Sequence, residues 1–260
     1  MIKLPDVTFV MVETQSHELA KIATEDCLNK MEFGDAIVFT DKPAFFDGVK
    51  ARVVTVPNWP SKVEWCRANW YLVPLHIETS HILFCQWDAG IWNPEDWTND
   101  YLQYDYVGAL WNWHPAKRVG NSGFSLKSYR LARFVYKNRD KYQCDVPVED
   151  DLLCRKYRTD LEANGFEWAP EGLAHKFAYE GCGPNPRPML ESHFGFHGAF
   201  NFSRVFNNDQ LETRAQLMLA DDYIRNSYMM QSFALANPEL STITNYNPEA
   251  EARKSLERRE

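Results

Sequence analysis

The sequence contains no long hydrophobic run. Its longest apolar stretches, at residues 8–12 and 82–85, are strand-sized and far short of the roughly 20 residues that a membrane-spanning helix needs. Residues 1–6 also lack the long apolar core of a secretory signal. These absences predict a protein without a membrane span that works in the cytoplasm.

The sequence also lacks a C-x-x-C pair among its six cysteines. Several of these cysteines lie in apolar stretches, where a thiol packs as a small hydrophobic group. A structural zinc site and a disulfide framework are therefore not expected. Excess positive charge is missing as well, because the formal net charge is −8. That balance argues against a protein that coats nucleic acid without sequence preference.

Basic residues nevertheless concentrate in one interval, residues 117–141, in which Asp140 is the only acidic residue. Helical spacing would bring Arg130, Arg133 and Lys137 to one side of a helix. The interval fits the solvated face of a helix, and it also fits a contact for a phosphate-bearing acceptor or a donor diphosphate. Its basic members are Lys117, Arg118, Lys127, Arg130, Arg133, Lys137, Arg139 and Lys141.

The hydrophobic pattern alternates between strand-sized and helix-sized segments, which predicts an α/β fold. A strand at residues 7–12, a helix at 17–31 and a strand at 36–39 open the chain. Ser61 and Glu64 form a possible capping box for a second helix that runs to about residue 75. Other predicted strands are 52–56, 80–86, 106–110 and one that the 120–126 turn leads into, and other predicted helices are 128–138 and 149–164. We expect one catalytic domain over residues 1–237, and a polar tail or peripheral helix at 238–260.

Asp88 stands directly after an apolar strand, within Gln86-Trp87-Asp88-Ala89-Gly90. In open α/β sheets, ligands bind outside the carboxyl ends of the strands. A turn-capping role would explain this aspartate. The functional alternative is an oxygen ligand for Mg²⁺ or Mn²⁺ that is shared with substrate phosphates.

Three later segments could complete a site with Asp88. Asn121, Ser122 and Gly123 lie in a glycine loop that could let backbone approach a sugar. Glu149-Asp150 begins a helix, where acidic residues also complement the helix dipole. His197 lies between glycines and aromatic residues, where a histidine is more often structural.

In their order, these segments resemble the motifs of GT-A glycosyltransferases: a carboxylate metal motif, a glycine loop, an acidic catalytic motif and a late metal-binding histidine. The chain is most similar to a family catalogued as a domain of unknown function with predicted glycosyltransferase activity, over residues 7–202. Ala89 and Ser122 stand where glycines are expected, and Gln86 replaces the first carboxylate of a full D-x-D motif. The segments that carry the resemblance are Thr79-Ser80-His81, Gln86-Trp87-Asp88, Tyr104-Asp105-Tyr106-Val107-Gly108-Ala109-Leu110-Trp111, Gly120-Asn121-Ser122-Gly123-Phe124-Ser125-Leu126, Glu149-Asp150 and Phe194-Gly195-Phe196-His197-Gly198.

The resemblance implies a GT-A fold, in which helices flank a Rossmann-like mixed sheet, and a nucleotide-sugar donor, with a UDP-sugar as first choice. It further implies that Asp88 and His197 hold Mn²⁺ or Mg²⁺ against the donor diphosphate. Asp150 would act as the general base, and Glu149 would orient it or contact the sugar. The residues implied in donor binding are Val12, Glu13, Thr14, Gln86, Trp87, Asp88, Asn121, Ser122 and Gly123.

Several alternatives stay open at this point. The mechanism inverts the anomeric carbon if Asp150 activates an acceptor on the face opposite the nucleotide; a retaining mechanism and Asp151 as the base are the alternatives. A catalytically silent carbohydrate-binding module and a nucleotidyltransferase are the rival functions. The acceptor is a glycan, a small molecule or, as for some phage glycosyltransferases acting in the host cytoplasm, a hydroxymethylated DNA base. No obligate protein partner is implied.

Tryptophans crowd the interval after Asp88, where their rings would either pack in the core or form a platform for a sugar or a base. Exposed stacking by Trp111 or Trp113 would suit a glycan or an extruded nucleobase. The tryptophans concerned are Trp87, Trp92, Trp97, Trp111 and Trp113.

Overall fold

A computed structural model describes residues 1–59, 61–112, 114–181, 188–225 and 227–237. The chain divides into two compact units, Met1–His197 and Gly198–Glu260. The single catalytic domain expected over residues 1–237 stays a prediction. The expected tail at residues 238–260 lies outside the described residues, as do Trp113 and Cys182.

The first unit is built on a six-stranded mixed sheet with the strand order β3-β2-β1-β4-β7-β6. The first four of these strands are parallel, and β7 runs antiparallel to both β4 and β6. The predicted α/β class, with a mixed sheet flanked by helices, is confirmed. The strands of the unit are β1 (Ile2–Val12), β2 (Met31–Thr40), β3 (Arg52–Thr55), β4 (His81–Cys85), β5 (Ala89–Ile91), β6 (Tyr106–Gly108), β7 (Phe124–Ser128), β8 (Ala178–Tyr179) and β9 (Gly195–His197).

Helices flank this sheet. Those predicted at residues 17–31, from Ser61 to about residue 75 and at 128–138 are present, the one predicted at 149–164 is described below, and the helix Glu171–Phe177 was not predicted. Ser61 caps α2 by accepting a hydrogen bond from the Glu64 amide at 3.3 Å, and Ser128 caps α3 through the Leu131 amide at 3.1 Å. The helices of the unit are α1 (His17–Lys30), α2 (Lys62–Tyr71), α3 (Tyr129–Lys137), α4 (Glu149–Asp151), α5 (Arg158–Ala163) and α6 (Glu171–Phe177).

The core of the sheet lies in its central strands. All five residues of β4 are buried, since both faces of a largely parallel sheet are covered. Val10, Ile37, Phe39 and Ile82 are fully buried within one apolar cluster that also includes Phe84. Burial of this kind fixes the carboxyl ends of β1, β2 and β4 at one edge of the sheet, where the polar segments begin.

A second sheet of three short strands, in the order β5-β9-β8, was not predicted from the sequence. Strand β5 follows Asp88 directly, and its first residue, Ala89, pairs with His197 at the end of β9. The small sheet therefore brings the segment after β4 beside a segment about a hundred residues later in the chain.

The predicted helix at residues 149–164 is wrong as a single element. A π-helical turn, Leu152–Lys156, separates α4 from α5, and the Tyr157 amide bonds to the Leu152 carbonyl at 2.8 Å. The wider turn lets three successive residues, Leu152, Leu153 and Cys154, all be buried, which the pitch of a regular α-helix disfavours. Such π-turns are frequent at functional sites.

Arg130, which the sequence placed among candidate phosphate contacts, is held by a buried carboxylate instead. Its guanidinium pairs in bidentate fashion with Asp105 and donates to the Gly165 carbonyl at 2.7 Å. Asp105 also accepts hydrogen bonds from the Ser128 hydroxyl and, at 2.9 Å, from the Glu167 amide. Asp105 therefore joins β7 and α3 to the loops around residues 105 and 165–167.

We expect Asp105→Ala to lower the free energy of unfolding by roughly 2–4 kcal/mol, because the substitution leaves buried donors without an acceptor. Urea unfolding of the purified protein measures this change. Glu162→Ala, which removes an exposed helical ion pair with Arg158, is the control and should change stability by less than about 1 kcal/mol. Equal effects of the two substitutions would contradict the structural role of Asp105.

The second unit is helical in its described part. It contains α7 (Phe202–Val205), α8 (Asn208–Ala220), α9 (Asp222–Arg225) and α10 (Tyr228–Ala236). Asn207 and Gln210 form a reciprocal capping box at the start of α8. Across the described residues of the whole chain, no helix combines the length and apolarity that crossing a bilayer requires.

Candidate active site

Asp88 and His197, which the resemblance assigns to the metal, lie close to each other. Asp88 lies just beyond the carboxyl end of β4, and its Oδ1 lies 3.6 Å from Nε2 of His197. The side chain is buried, and no described residue donates a hydrogen bond to Oδ1. A buried carboxylate oxygen with no donor is costly unless a positive charge lies nearby. The imidazole is the nearest such group that the structure describes.

The loop at Asn121, Ser122 and Gly123 packs against the same imidazole. Asn121 adopts a left-handed backbone conformation with φ 55°, and its Oδ1 accepts a hydrogen bond from the Gly123 amide at 3.0 Å. The Gln86 amide donates to the Gly123 carbonyl at 2.8 Å, which ties the loop to the end of β4. A Cβ atom at position 123 would lie 2.1 Å from the His197 ring. Glycine is required here because the ring occupies that space.

Glu180 is a site residue that the sequence reasoning missed. Its Oε1 lies 3.6 Å from Nδ1 of His197, and its Oε2 accepts a hydrogen bond from Asn121 Nδ2. Glu180 is buried directly after β8. A carboxylate that follows a short apolar run is the signal that identified Asp88, and the same signal could have identified Glu180.

Asp150 reaches the site from the start of α4. Its carboxylate accepts hydrogen bonds from the Ser122 amide at 3.3 Å and from the Asp151 amide at 2.9 Å. Burial and the neighbouring Glu149 charge raise the pKa of Asp150 to about 6, although the two backbone hydrogen bonds and Lys62 oppose this shift. A carboxylate with that pKa can accept a proton near neutral pH.

Glu149 points into a more enclosed region than Asp150. Its side chain is buried, and its Oε2 accepts a hydrogen bond from the Cys66 thiol at 3.6 Å. No described residue donates to its Oε1. The five described cysteines, Cys66 among them, are all free and buried.

The charges of the groups around His197 decide whether a cation is favoured at this site. Burial lowers the pKa of His197, but Asp88, the contact with Glu180 and the charge of Asp150 outweigh it and raise that pKa to about 9. Asp88 and Glu180 thus lie on two sides of one imidazole, and the Asp150 charge adds to the negative potential, which is favourable for a cation. Among the described residues, no three His, Cys, Asp or Glu side chains are arranged to hold a metal by themselves. Asp88 and His197 supply two side chains of types that bind divalent ions, one carboxylate and one imidazole.

Val12 is the last residue of β1, one residue beyond the pairing of Met11 with Cys85 in β4, and Glu13 and Thr14 follow it. They therefore lie at the same edge of the sheet as Gln86 and Trp87. The Glu13 carboxylate accepts hydrogen bonds from the Gln15 and Ser16 amides at 2.7 and 3.1 Å. This carboxylate is committed to the turn that starts α1, while the Val12 carbonyl accepts a hydrogen bond from the Trp65 indole at 2.9 Å.

The tryptophans near the site do not form an exposed platform in the described part. Trp87 and Trp111 are buried, and Trp111 covers Gly120 so closely that a Cβ there would lie 2.2 Å from the indole. Trp92 and Trp97 are partly buried against His193 and Phe194. Of the two alternatives for these rings, Trp111 takes core packing, and Trp113 lies outside the described residues.

Comparisons with solved structures give matches of low sequence identity. A glycosyltransferase involved in the glycosylation of the major capsid of PBCV-1 superposes with a TM-score of 0.45 at 10% identity, over 74% of this chain and 91% of that protein. A mycobacterial protein matches with a TM-score of 0.37 at 14% identity, over 48% of this chain and 53% of that one. The bifunctional IspDF from Campylobacter jejuni matches with a TM-score of 0.40 at 9% identity, over 63% and 48% of the two chains.

Sequence comparisons identify one family. No curated protein shows a significant match to the chain. The model of a family described as "Protein of unknown function (DUF5672)" matches residues 70–197, just under half of the chain. That stretch begins within α2 and ends at His197, so it contains Asp88, Gly123, Asp150 and Glu180. The segments that gather around His197 therefore all lie within the part of the chain that is similar to this family of unknown function.

Proposed function

We propose that this protein is a metal-dependent glycosyltransferase that moves a sugar from a nucleotide-sugar donor to an acceptor hydroxyl. One observation carries the proposal. Asp88, His197 and Asp150 come from three distant segments and converge on the loop that contains Ser122 and Gly123. A cation-binding pair beside a carboxylate of near-neutral pKa is what transfer from a diphosphate leaving group requires.

In this proposal the two halves of the site have different tasks. Asp88 and His197 would hold Mn²⁺ or Mg²⁺, and the ion would supply positive charge that stabilises a diphosphate leaving group. Asp150 accepts the proton of the attacking acceptor hydroxyl, and Glu149 stays beside it as an orienting or sugar-binding group. The backbone at residues 12–14, 86–88 and 121–123 borders the donor, most simply a UDP-sugar. Attack opposite the nucleotide would invert the anomeric carbon.

The proposal is tested by incubating the purified protein with a panel of nucleotide sugars and Mn²⁺. Slow, metal-dependent hydrolysis of one donor is expected, because water replaces the absent acceptor. A parallel panel of nucleoside triphosphates with sugar phosphates measures pyrophosphate release. Pyrophosphate release without sugar-nucleotide hydrolysis would identify a nucleotidyltransferase, and sugar binding without any turnover would identify a carbohydrate-binding module.

The turnover number should depend on pH through Asp150. Because burial and Glu149 raise the pKa of Asp150 to about 6, the carboxylate is the active base above that pH and is protonated below it. At saturating donor and Mn²⁺, kcat should fall about tenfold for each pH unit below this value. In Asp150→Asn, the residual activity should not show this fall of kcat below about pH 6. If the fall persists in the variant, it is due to the titration of another group.

The basic side chains at residues 117–141 are largely engaged within the protein, which favours a glycan or small-molecule acceptor over DNA. Most of these side chains have intramolecular partners, and Lys127 is buried between the rings of Phe84 and Tyr106. Few of them remain to neutralise phosphates. The pairs are Lys117 with Thr159, Arg118 with Glu171, Arg130 with Asp105, and Lys141 with Asp160.

The acceptor class is tested with the donor found above. Transfer to simple glycans, to hydroxymethylpyrimidine DNA and to unmodified DNA is measured at low and moderate salt. We expect transfer to glycans. Its rate should not depend on salt and should be unchanged in Arg133→Ala. Salt-sensitive transfer to hydroxymethylated DNA alone would contradict this choice of acceptor.

A further inference from the structure

Glu180 contacts both His197 and the loop that packs against it. One carboxylate oxygen lies 3.6 Å from Nδ1 of the imidazole, and the other accepts a hydrogen bond from the Asn121 side chain. Asn121 in turn accepts a hydrogen bond from the Gly123 amide, and Gly123 packs closely against the imidazole. A single buried carboxylate therefore contacts both the ring and the loop that packs against it.

We infer that Glu180 is a positioning residue that orients His197 so that Nε2 faces Asp88, an inference that rests on the metal site of the proposed function. The two nitrogens of an imidazole point in divergent directions. Nε2 lies 3.6 Å from Asp88 Oδ1, whereas Nδ1 faces Glu180. A cation bound by Nε2 and Asp88 would therefore lie on the far side of the ring from Glu180.

In this geometry Glu180 contacts the metal ligand His197 and does not itself bind the ion held by Nε2 and Asp88. It agrees with the finding that no three acidic, histidine or cysteine side chains in the described ranges are arranged around one ion. Carboxylates that accept the free N–H of a metal-binding histidine fix its tautomer and raise its basicity. Their removal typically weakens metal binding by roughly 10–100-fold.

The first measurement is a double-mutant cycle on Mn²⁺ binding in the presence of UDP, followed by electron paramagnetic resonance of the free ion. Glu180→Gln is expected to weaken Mn²⁺ binding about 10-fold or more. The same substitution in a His197→Gln background should weaken it less than about 3-fold, because the effect acts through the imidazole. Glu162→Gln, which removes an exposed carboxylate, should leave binding unchanged. Additive losses in the cycle would overturn the inference.

The second measurement needs no metal. In protein with ¹⁵N-labelled histidine, the His197 signal is assigned by its loss in His197→Gln from among the seven histidines. Its Nδ1–H resonance should shift or disappear in Glu180→Gln, and an unchanged resonance would overturn the inference. If the wild type binds no Mn²⁺ while this resonance does respond, the metal-dependent function fails and the pairing of Glu180 with His197 stands. Should Glu180→Gln not fold, as judged by thermal melting, Glu180→Asp takes its place in both measurements. It should retain more Mn²⁺ affinity than Glu180→Ala.

Discussion

Asp88→Asn should abolish metal-dependent turnover of the donor, with a loss of roughly 10³-fold or more. The substitution keeps the shape of the side chain but removes the negative charge that Asp88 places 3.6 Å from His197. Hard divalent cations prefer charged oxygen ligands, and a metal ion contributes several kcal/mol to stabilising a developing charge. At about 1.4 kcal/mol for each tenfold change in rate, losing that contribution gives the expected factor. Donor hydrolysis at saturating Mn²⁺ measures it.

Two further variants separate loss of the metal from loss of the fold. Asp100→Asn makes the same chemical change on an exposed aspartate in the segment Asn99–Gln103, and it should leave turnover within about 2-fold of the wild type. His197→Ala should cost less than Asp88→Asn, because a water molecule can replace one neutral ligand. Normal turnover by a folded Asp88→Asn protein would exclude Asp88 from the metal site.

Long apolar segments made the main sheet predictable. Residues 7–12 and 80–86 read as strands because buried parallel strands are apolar on both faces, and both lie at the centre of the sheet. The strands β5, β8 and β9 could not be predicted in this way, because two or three residues are too few to show a period. The π-turn after α4 escaped detection for a different reason. It accompanies the burial of three successive side chains, and that burial depends on packing that the local sequence does not reveal.

Parts of the candidate site could be predicted because each residue stood at the end of a predictable element. Asp88 followed a strong strand, and Asp150 followed the polar start of a predicted helix. The proximity of Asp88 to His197 could not be derived from the residues, since it depends on the small sheet that pairs Ala89 with His197. For Arg130, the local sequence suggested a role that the structure does not show. Its basic neighbourhood suggested a phosphate contact, but whether a guanidinium is available depends on a carboxylate 25 residues earlier in the chain, Asp105.

Asp150→Asn should reduce sugar transfer by roughly 10²-fold or more while leaving donor affinity nearly intact, as expected when a general base is lost. The amide cannot accept a proton at neutral pH. It also has one acceptor oxygen in place of two, so the hydrogen bond from either the Ser122 or the Asp151 amide is weakened, at a cost of about 1 kcal/mol. Measuring donor binding by calorimetry beside kcat separates that local effect from the loss of the base.

Two neighbouring variants test the assignment of the base. Asp151→Asn should have little effect on kcat, because Asp151 forms an ion pair with Arg155 at 2.9 Å along the helix, away from Ser122. Glu149→Gln should fall between these two variants, since Glu149 contacts Cys66 and acts on the reaction through the charge it places beside Asp150. If Glu149→Gln proves the more damaging change, the base moves by one residue. If Asp150→Asn weakens donor binding as much as it slows transfer, Asp150 holds the donor and takes no part in proton transfer.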